Sequence, residues 1–133
     1  MIFDLEEKPG TRFDMEGGGW VELRALTAED WAKITKATVT IRPFAHKDEN
    51  GKYIVLNGEV VNSELQAEMI NDLSIVAWGD LLDGKEKPIP CNKKMKTVLM
   101  RMKDPRFRNF VNEKLPILNG IQKERQEEAE KNL

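Results

Sequence analysis

"AWGDLLDGKEKPIPCNKKM" occupies residues 77–95, and its reading decides the middle of the fold. The stretch leaves an apolar run, passes Asp83-Gly84, crosses Pro88-Ile89-Pro90 and reaches Asn92 ahead of new helix formers. Gly84 suits the left-handed position that closes a helix. Each proline disfavours a helical residue before it, so 85–90 is expected to run extended. Asn92 is an N-cap candidate for the segment in which Met95, Val98, Leu99 and Met102 recur at three and four. The stretch therefore reads as a helix stop, a stiff crossover and a helix start, with Cys91 as a small packing residue.

Upstream, "SELQ" forms a capping box from Ser63 to Gln66. Leu65, Met69, Leu73 and Val76 make an apolar stripe, which predicts a helix over 64–82. Before it, "TVTIRPF" (38–44) and "KYIVLNGEVVN" (52–62) read as strands around the tight-turn signal Asn50-Gly51. Pro43 demotes the first to an edge strand or arm, and Asn57-Gly58 is a second turn candidate. "WVELRAL" (20–26) alternates with Val21, Leu23 and Ala25 on one face, as a strand does. Thr27 then caps a short helix striped by Trp31 and Ile34. Residues 1–19 hold Pro9, Gly10 and the run Gly17-Gly18-Gly19, which favours flexibility.

Downstream, Asp104-Pro105 is a start signal, a cap followed by proline at the first helical position. Phe107, Phe110, Val111 and Leu115 share a face, and Pro116 is expected to kink or break the chain. The tail 119–133 is polar and helix-favouring. The sum is an α+β chain, mainly helical. An N-terminal strand and a β-hairpin or arm precede a bundle of three to four short amphipathic helices. The expected organisation is a flexible segment (1–19), one globular domain (20–118, with the β-arm at 38–62 and the helical part at 63–118) and the tail (119–133).

At 133 residues and a net charge of −2, the chain suits one soluble domain and argues for no particular charged partner. No run approaches the roughly 18–20 apolar residues of a spanning helix, and the start lacks the basic-then-apolar order of a secretory signal. The cytoplasm is the plain expectation. There is no phosphate loop, HExxH or paired-cysteine motif, so neither metal nor cofactor is expected. The single cysteine, Cys91, and single histidine, His46, make a poor nucleophile pair. Asp80 and Asp83 read as capping or solvated groups, and the expectation is a protein that is not an enzyme.

Charge is uneven in one place. Residues 85–108 carry nine basic side chains against Glu86 and Asp104. Three readings stay open: the solvent side of two amphipathic helices, a face for an acidic protein, or a phosphate-binding face. The candidate partner-binding residues are Lys93, Lys94, Lys96, Arg101, Arg106 and Arg108, with Met95 and Met102, since methionine adapts to varied partners. The three tryptophans (Trp20, Trp31, Trp78) and the methionine-rich third helix are read as core first, with an adaptable binding surface at the methionines as the alternative.

The order of these devices resembles that of the tail assembly chaperones of long-tailed bacteriophages and prophages. The pattern is a Trp at a helix end (Trp78), Asp83-Gly84, Pro88-Ile89-Pro90 with the cap Asn92, a short helix, then Asp104-Pro105 and Phe107. "WVELRALTAEDWAKI" and the ending "EEAEKNL" are similar to the family's opening and tail, so the resemblance covers about 20–133, the β-arm being its least familiar part. It implies a non-enzymatic protein of the bacterial host cytoplasm. Such a protein binds the tape-measure protein and recruits tail-tube subunits. Self-assembly is a separate expectation from the residues, because narrow stripes on short helices bury little area alone. The basic bias of 85–108 departs from the family. Two other functions compete: a small basic-faced nucleic-acid-binding or regulatory protein, and a structural tail or head–tail component of the virion.

Overall fold

The computed structural model describes residues 10–131, with side chains described through residue 118. Residues 1–9 and 132–133, parts of the expected flexible segment and tail, lie outside the described residues. The fold is mixed α+β, with N-terminal strands, a β-hairpin and, among the described residues, four helices. Where one domain over 20–118 was expected, the chain divides into two compact units. One holds residues 1–26 with 71–133, and the other holds 27–70.

The first unit is built on a three-stranded antiparallel sheet in the order β1-β2-β5. Its strands are β1 (Thr11–Asp14), β2 (Trp20–Leu23) and β5 (Ile75–Gly79). The triple glycine, expected as a flexible linker, is the turn between β1 and β2. Gly17 (φ +103°) and Gly18 (φ +111°) adopt angles that side chains resist. The Met15 amide donates to the Gly19 carbonyl at 2.7 Å and closes the hairpin. The alternation read in 20–26 is correct: Val21 and Leu23 are fully buried.

The expected helix over 64–82 is two elements. Helix α2 (Ser63–Ser74) stops, and Ile75–Gly79 pairs with β2 as a central strand. The helical stripe runs on through Val76, so periodicity alone hides the change. The β-branched pair Ile75-Val76 and the pairing with β2 decide it. At the start of α2, Asn62 rather than Ser63 is the cap: its side-chain oxygen accepts from the Leu65 amide at 3.2 Å.

The 77–95 stretch changes accordingly. Trp78 ends no helix; it is buried in β5. Asp83-Gly84 closes no helix either. It tips a tight loop in which the Asp83 carboxylate accepts from the Lys85 and Lys87 amides at 2.8 and 3.0 Å. The left-handed residues here are Asp80 (φ 56°) and Glu86 (φ 60°), not Gly84. A bridge between Leu82 and Pro88 and the Ile89 amide bonded to the Leu81 carbonyl (2.8 Å) fold the connector back on itself. Asn92 caps α3 (Lys93–Arg101) as expected, accepting from the Met95 amide at 2.9 Å.

Helix α4 (Arg106–Lys131) is not short and does not break at Pro116. Proline removes one helical hydrogen bond, but Val111 and Leu118 on either side are both buried in the core and hold the helix through it. The core gathers β2, β5, α3 and α4 around Val21, Leu23, Ile75, Trp78, Leu99 and Phe107. Each such side chain contributes roughly 1.5–3 kcal/mol by leaving water.

The second unit holds α1 (Ala28–Thr38), the start of α2 and a two-stranded hairpin of β3 (Val39–Lys47) and β4 (Tyr53–Val61). Thr27 and Asp30 form a reciprocal capping box at the start of α1. Ile34 is buried, but Trp31 is 46% exposed, so it is not core; Trp20 is only half-buried. Gly51 (φ +79°) and the Asp48 carboxylate shape the expected turn. Asn57-Gly58 is no turn: both lie within β4, and the Phe44 ring covers Gly58. Among the described residues, no helix is long and apolar enough to cross a membrane.

Two outcomes check this packing in urea unfolding. Trp78→Phe, which keeps an aromatic ring but loses the indole N–H bonded to the Ile89 carbonyl at 2.8 Å, should cost about 2 kcal/mol. Gly79→Ala should destabilise far more than Gly84→Ala. An added Cβ at Gly79 meets the Trp20 indole, whereas at Gly84 it meets open space.

Candidate functional site

The first unit carries a cleft of about 610 Å³. Its walls come from three pieces of chain: the β1–β2 turn, the 80–89 connector and helix α3, with Phe107 of α4 beneath. Each wall is set by local chemistry. The glycines bring the turn back sharply. The Trp78 indole holds Ile89, and hence the connector, against β5. The Asn92 cap starts α3 so that Met95, Val98, Leu99 and Met102 fall on the cleft side.

The lining is apolar and only partly covered. Leu82, Val98 and Met102 are 56%, 44% and 40% exposed. Leu99 and Phe107 are buried below them, and Phe107 stands edge-on to Trp78 with ring centroids 5.6 Å apart. The cleft thus has a buried floor and adaptable walls that include three methionines, Met15, Met95 and Met102.

The rim is acidic. Glu16, Asp80, Asp83 and Asp104 line it, with Arg106 as the one cation among the lining residues described. Arg106 is committed to Asp104: its Nε and Nη2 donate to the carboxylate at 2.9 and 2.7 Å. That pairing, with the Arg106 amide, holds the Asp104 carboxyl below the usual aspartate range. The lining residues therefore carry four carboxylates against one cation, although the cleft sits in the most basic part of the sequence.

The six basic candidates have divided roles. Lys96 is 9% exposed, and its ammonium donates to the Asp72 carbonyl and carboxylate at 3.0 and 3.1 Å, tying α3 to the end of α2. Arg108 reaches the Met100 and Met102 carbonyls at 3.4 Å, satisfying the end of α3. Arg106 braces Asp104 at the start of α4. Lys93, Lys94 and Arg101 lie exposed on α3. Met95 and Met102 do come together in the cleft. Of the structural motif residues, Asp83, Gly84, Ile89, Asp104 and Phe107 line it, Trp78 and Asn92 brace it, and Pro88 and Pro90 stiffen the connector. Pro105 precedes the first helical residue, Arg106, and its carbonyl accepts from the Asn109 amide at 2.8 Å.

Sequence reasoning missed Leu81, Leu82 and Met15 as lining residues. A folded-back connector was the missing premise, and the Leu81-Leu82 pair beside turn-forming Asp83 was its one signal. Cys91, adjoining the cleft connector, is exposed. Desolvation pushes its thiol up, against a smaller opposing pull from Lys96, the reverse of an activated thiolate. A second apolar surface lies on the hairpin of the other unit, where Ile41, Tyr53 and Val55 are 70–74% exposed.

Comparison with protein-family models, curated proteins and solved structures finds no match for this chain.

A depressed carboxyl stabilises the fold above its unfolded pKa, and that contribution is lost as pH falls through its folded value. Asp104 should therefore brace the start of α4 at neutral pH and let go only in acid. In NMR titrations its midpoint should lie below that of the same carboxyl in Arg106→Ala.

Proposed function

We propose that this protein is a tail assembly chaperone of a long-tailed phage or prophage, working in the cytoplasm of the bacterial host. Its client is an apolar helical segment of the tape-measure protein, and it helps recruit tail-tube subunits. The observation that carries this reading is the cleft: an apolar trough lined by three methionines, with four carboxylates against one cation at its rim. Such a trough suits an amphipathic helix whose apolar residues recur along one face and whose flanks are basic. The residue order from Asp83-Gly84 to Phe107 resembles that of the family and supports the same reading, although Trp78 lies in a strand and not at a helix end.

An apolar helix is difficult to keep soluble on its own. Covering its stripe in a half-open cleft lowers its tendency to aggregate while leaving it releasable. A rim of the opposite sign speeds encounter and fixes orientation more than it adds affinity. The acidic rim also disfavours phosphate, which weighs against nucleic acid in this cleft.

The test is co-expression with a tape-measure fragment. The fragment should remain soluble with the wild-type protein. Leu82→Asp and Val98→Asp, both at exposed positions and so tolerable for folding, should each weaken binding about tenfold or more. A fragment that precipitates equally with and without the wild-type protein would sink the chaperone reading.

A further inference from the structure

The hairpin of the second unit has two edges, and they differ. The Asn62 amide donates to the Thr38 carbonyl, and the Asp48 amide to the Lys52 carbonyl, both at 2.8 Å. These bonds bracket the β3–β4 ladder at even-numbered β3-side positions. Antiparallel pairs alternate between bonded and non-bonded. The register then puts the bonded pairs at Thr40/Val60, Arg42/Gly58, Phe44/Leu56 and His46/Ile54. The odd-numbered residues of both strands direct their backbone N–H and C=O outward.

On β3 that outer edge is interrupted. Pro43 sits at its centre and has no N–H to offer, and Lys47 ends it. Such features block further strand pairing. On β4 nothing interrupts it. Tyr53, Val55, Asn57, Glu59 and Val61 present an unbroken row of donors and acceptors, with one charge among them. The apolar side chains follow the same asymmetry. Of the eight exposed large hydrophobics on the hairpin, Tyr53, Ile54, Val55, Leu56, Val60 and Val61 belong to β4, and only Ile41 and Phe44 to β3.

We propose that β4 pairs antiparallel with β4 of a second copy of this chain, joining two hairpins into one four-stranded sheet about a two-fold axis at Asn57. The edge is self-complementary in that register. Tyr53 faces Val61 of the second copy, Val55 faces Glu59, and Asn57 faces itself, so all five outward residues are paired and no like charges meet. Moving the axis by one residue leaves an outward residue of each chain unpaired and sets Glu59 beside Tyr53 or Asn57. On the even face, Ile54 comes beside Val60 of the second copy, and Leu56 beside Gly58, where the Phe44 ring already lies. Rings over a strand glycine fill the gap a missing side chain leaves.

Area sets the strength. The six β4 side chains, about half exposed, present on the order of 500 Å² of apolar surface. A standard interface buries about 800 Å² per partner. A seam built on this edge therefore belongs to the weaker class, with dissociation on the order of micromolar. Once the two β4 edges meet, the outer edges are both β3, where Pro43 stops growth, so the assembly closes as a dimer.

Sedimentation equilibrium of the full chain tests this. The mass should rise from 15.3 kDa to twice that across the micromolar range. Val55→Pro removes only an outward N–H, as Pro43 does on the other strand, and should stay monomeric with unchanged circular dichroism. A wild-type chain still monomeric at about 200 μM, a mass that keeps climbing past the dimer, or a Val55→Pro protein that dimerises as the wild type does would each overturn the proposal. If Val55→Pro fails to fold, cross-linking decides. Asn57→Cys in a Cys91→Ser background should oxidise to a covalent dimer, because the bonded pair at the axis has Cα atoms about 5.5 Å apart. Thr40→Cys in the same background should not. Equal behaviour of the two would overturn the proposal as well.

Discussion

One hydrogen bond organises the first unit: the Trp78 indole N–H to the Ile89 carbonyl, 2.8 Å long and largely shielded from water. It ties a strand to a connector eleven residues further along the chain. Besides it, the 80–89 segment is held by its own tight loop, the Leu82–Pro88 bridge and the packing of Leu81 and Ile89 against the core. With it, the connector becomes a wall. The same indole packs against Phe107 with the two rings nearly perpendicular, so the residue that fixes the connector also seats α4. A buried donor of this kind is stabilising when satisfied and costly when orphaned, which makes the connector's position nearly all-or-none.

The cleft follows from that constraint. Its floor is core, its lip is adaptable, and four carboxylates line it against Arg106, while three of the six basic candidates are turned to structural work. Lys96 holds α2 to α3, Arg108 finishes α3, and Arg106 braces Asp104. A charge count along the sequence therefore points one way and the charged residues lining the cleft the other. The lesson is general for short basic helices: a guanidinium or ammonium that satisfies backbone carbonyls is structural and is largely withdrawn from any partner.

Local devices were legible wherever one side chain and its near neighbours decide the outcome. The caps at Thr27 and Asn92, the alternation of β2 and the Asn50-Gly51 turn all belong to this kind. Helical spacing alone favoured a core place for Met95 and Met102, and their place in the cleft lining needed the connector and the β1–β2 turn beside them. Errors cluster where two periodicities overlap. The stripe from Leu65 to Val76 continues in register across the end of α2, so a helix and a strand look like one helix. Pro116 erred in the other direction, because core packing on both sides outweighs one lost hydrogen bond. Leu81 and Leu82 were invisible as lining residues because their role needs a connector that folds back.

By itself the sequence determined an α+β chain with a capped first helix, a hairpin, a capped third helix and a stiffened crossover between 80 and 92, because each of these rests on interactions within a few residues. Tertiary structure alone decided that Ile75–Gly79 is a strand, that the glycine run is a hairpin turn and that the basic segment borders an acidic cleft. These depend on β2 offering an open edge to β5, on Trp78 reaching Ile89 and on Asp72 reaching Lys96. Such contacts join residues distant along the chain, and no local propensity encodes them.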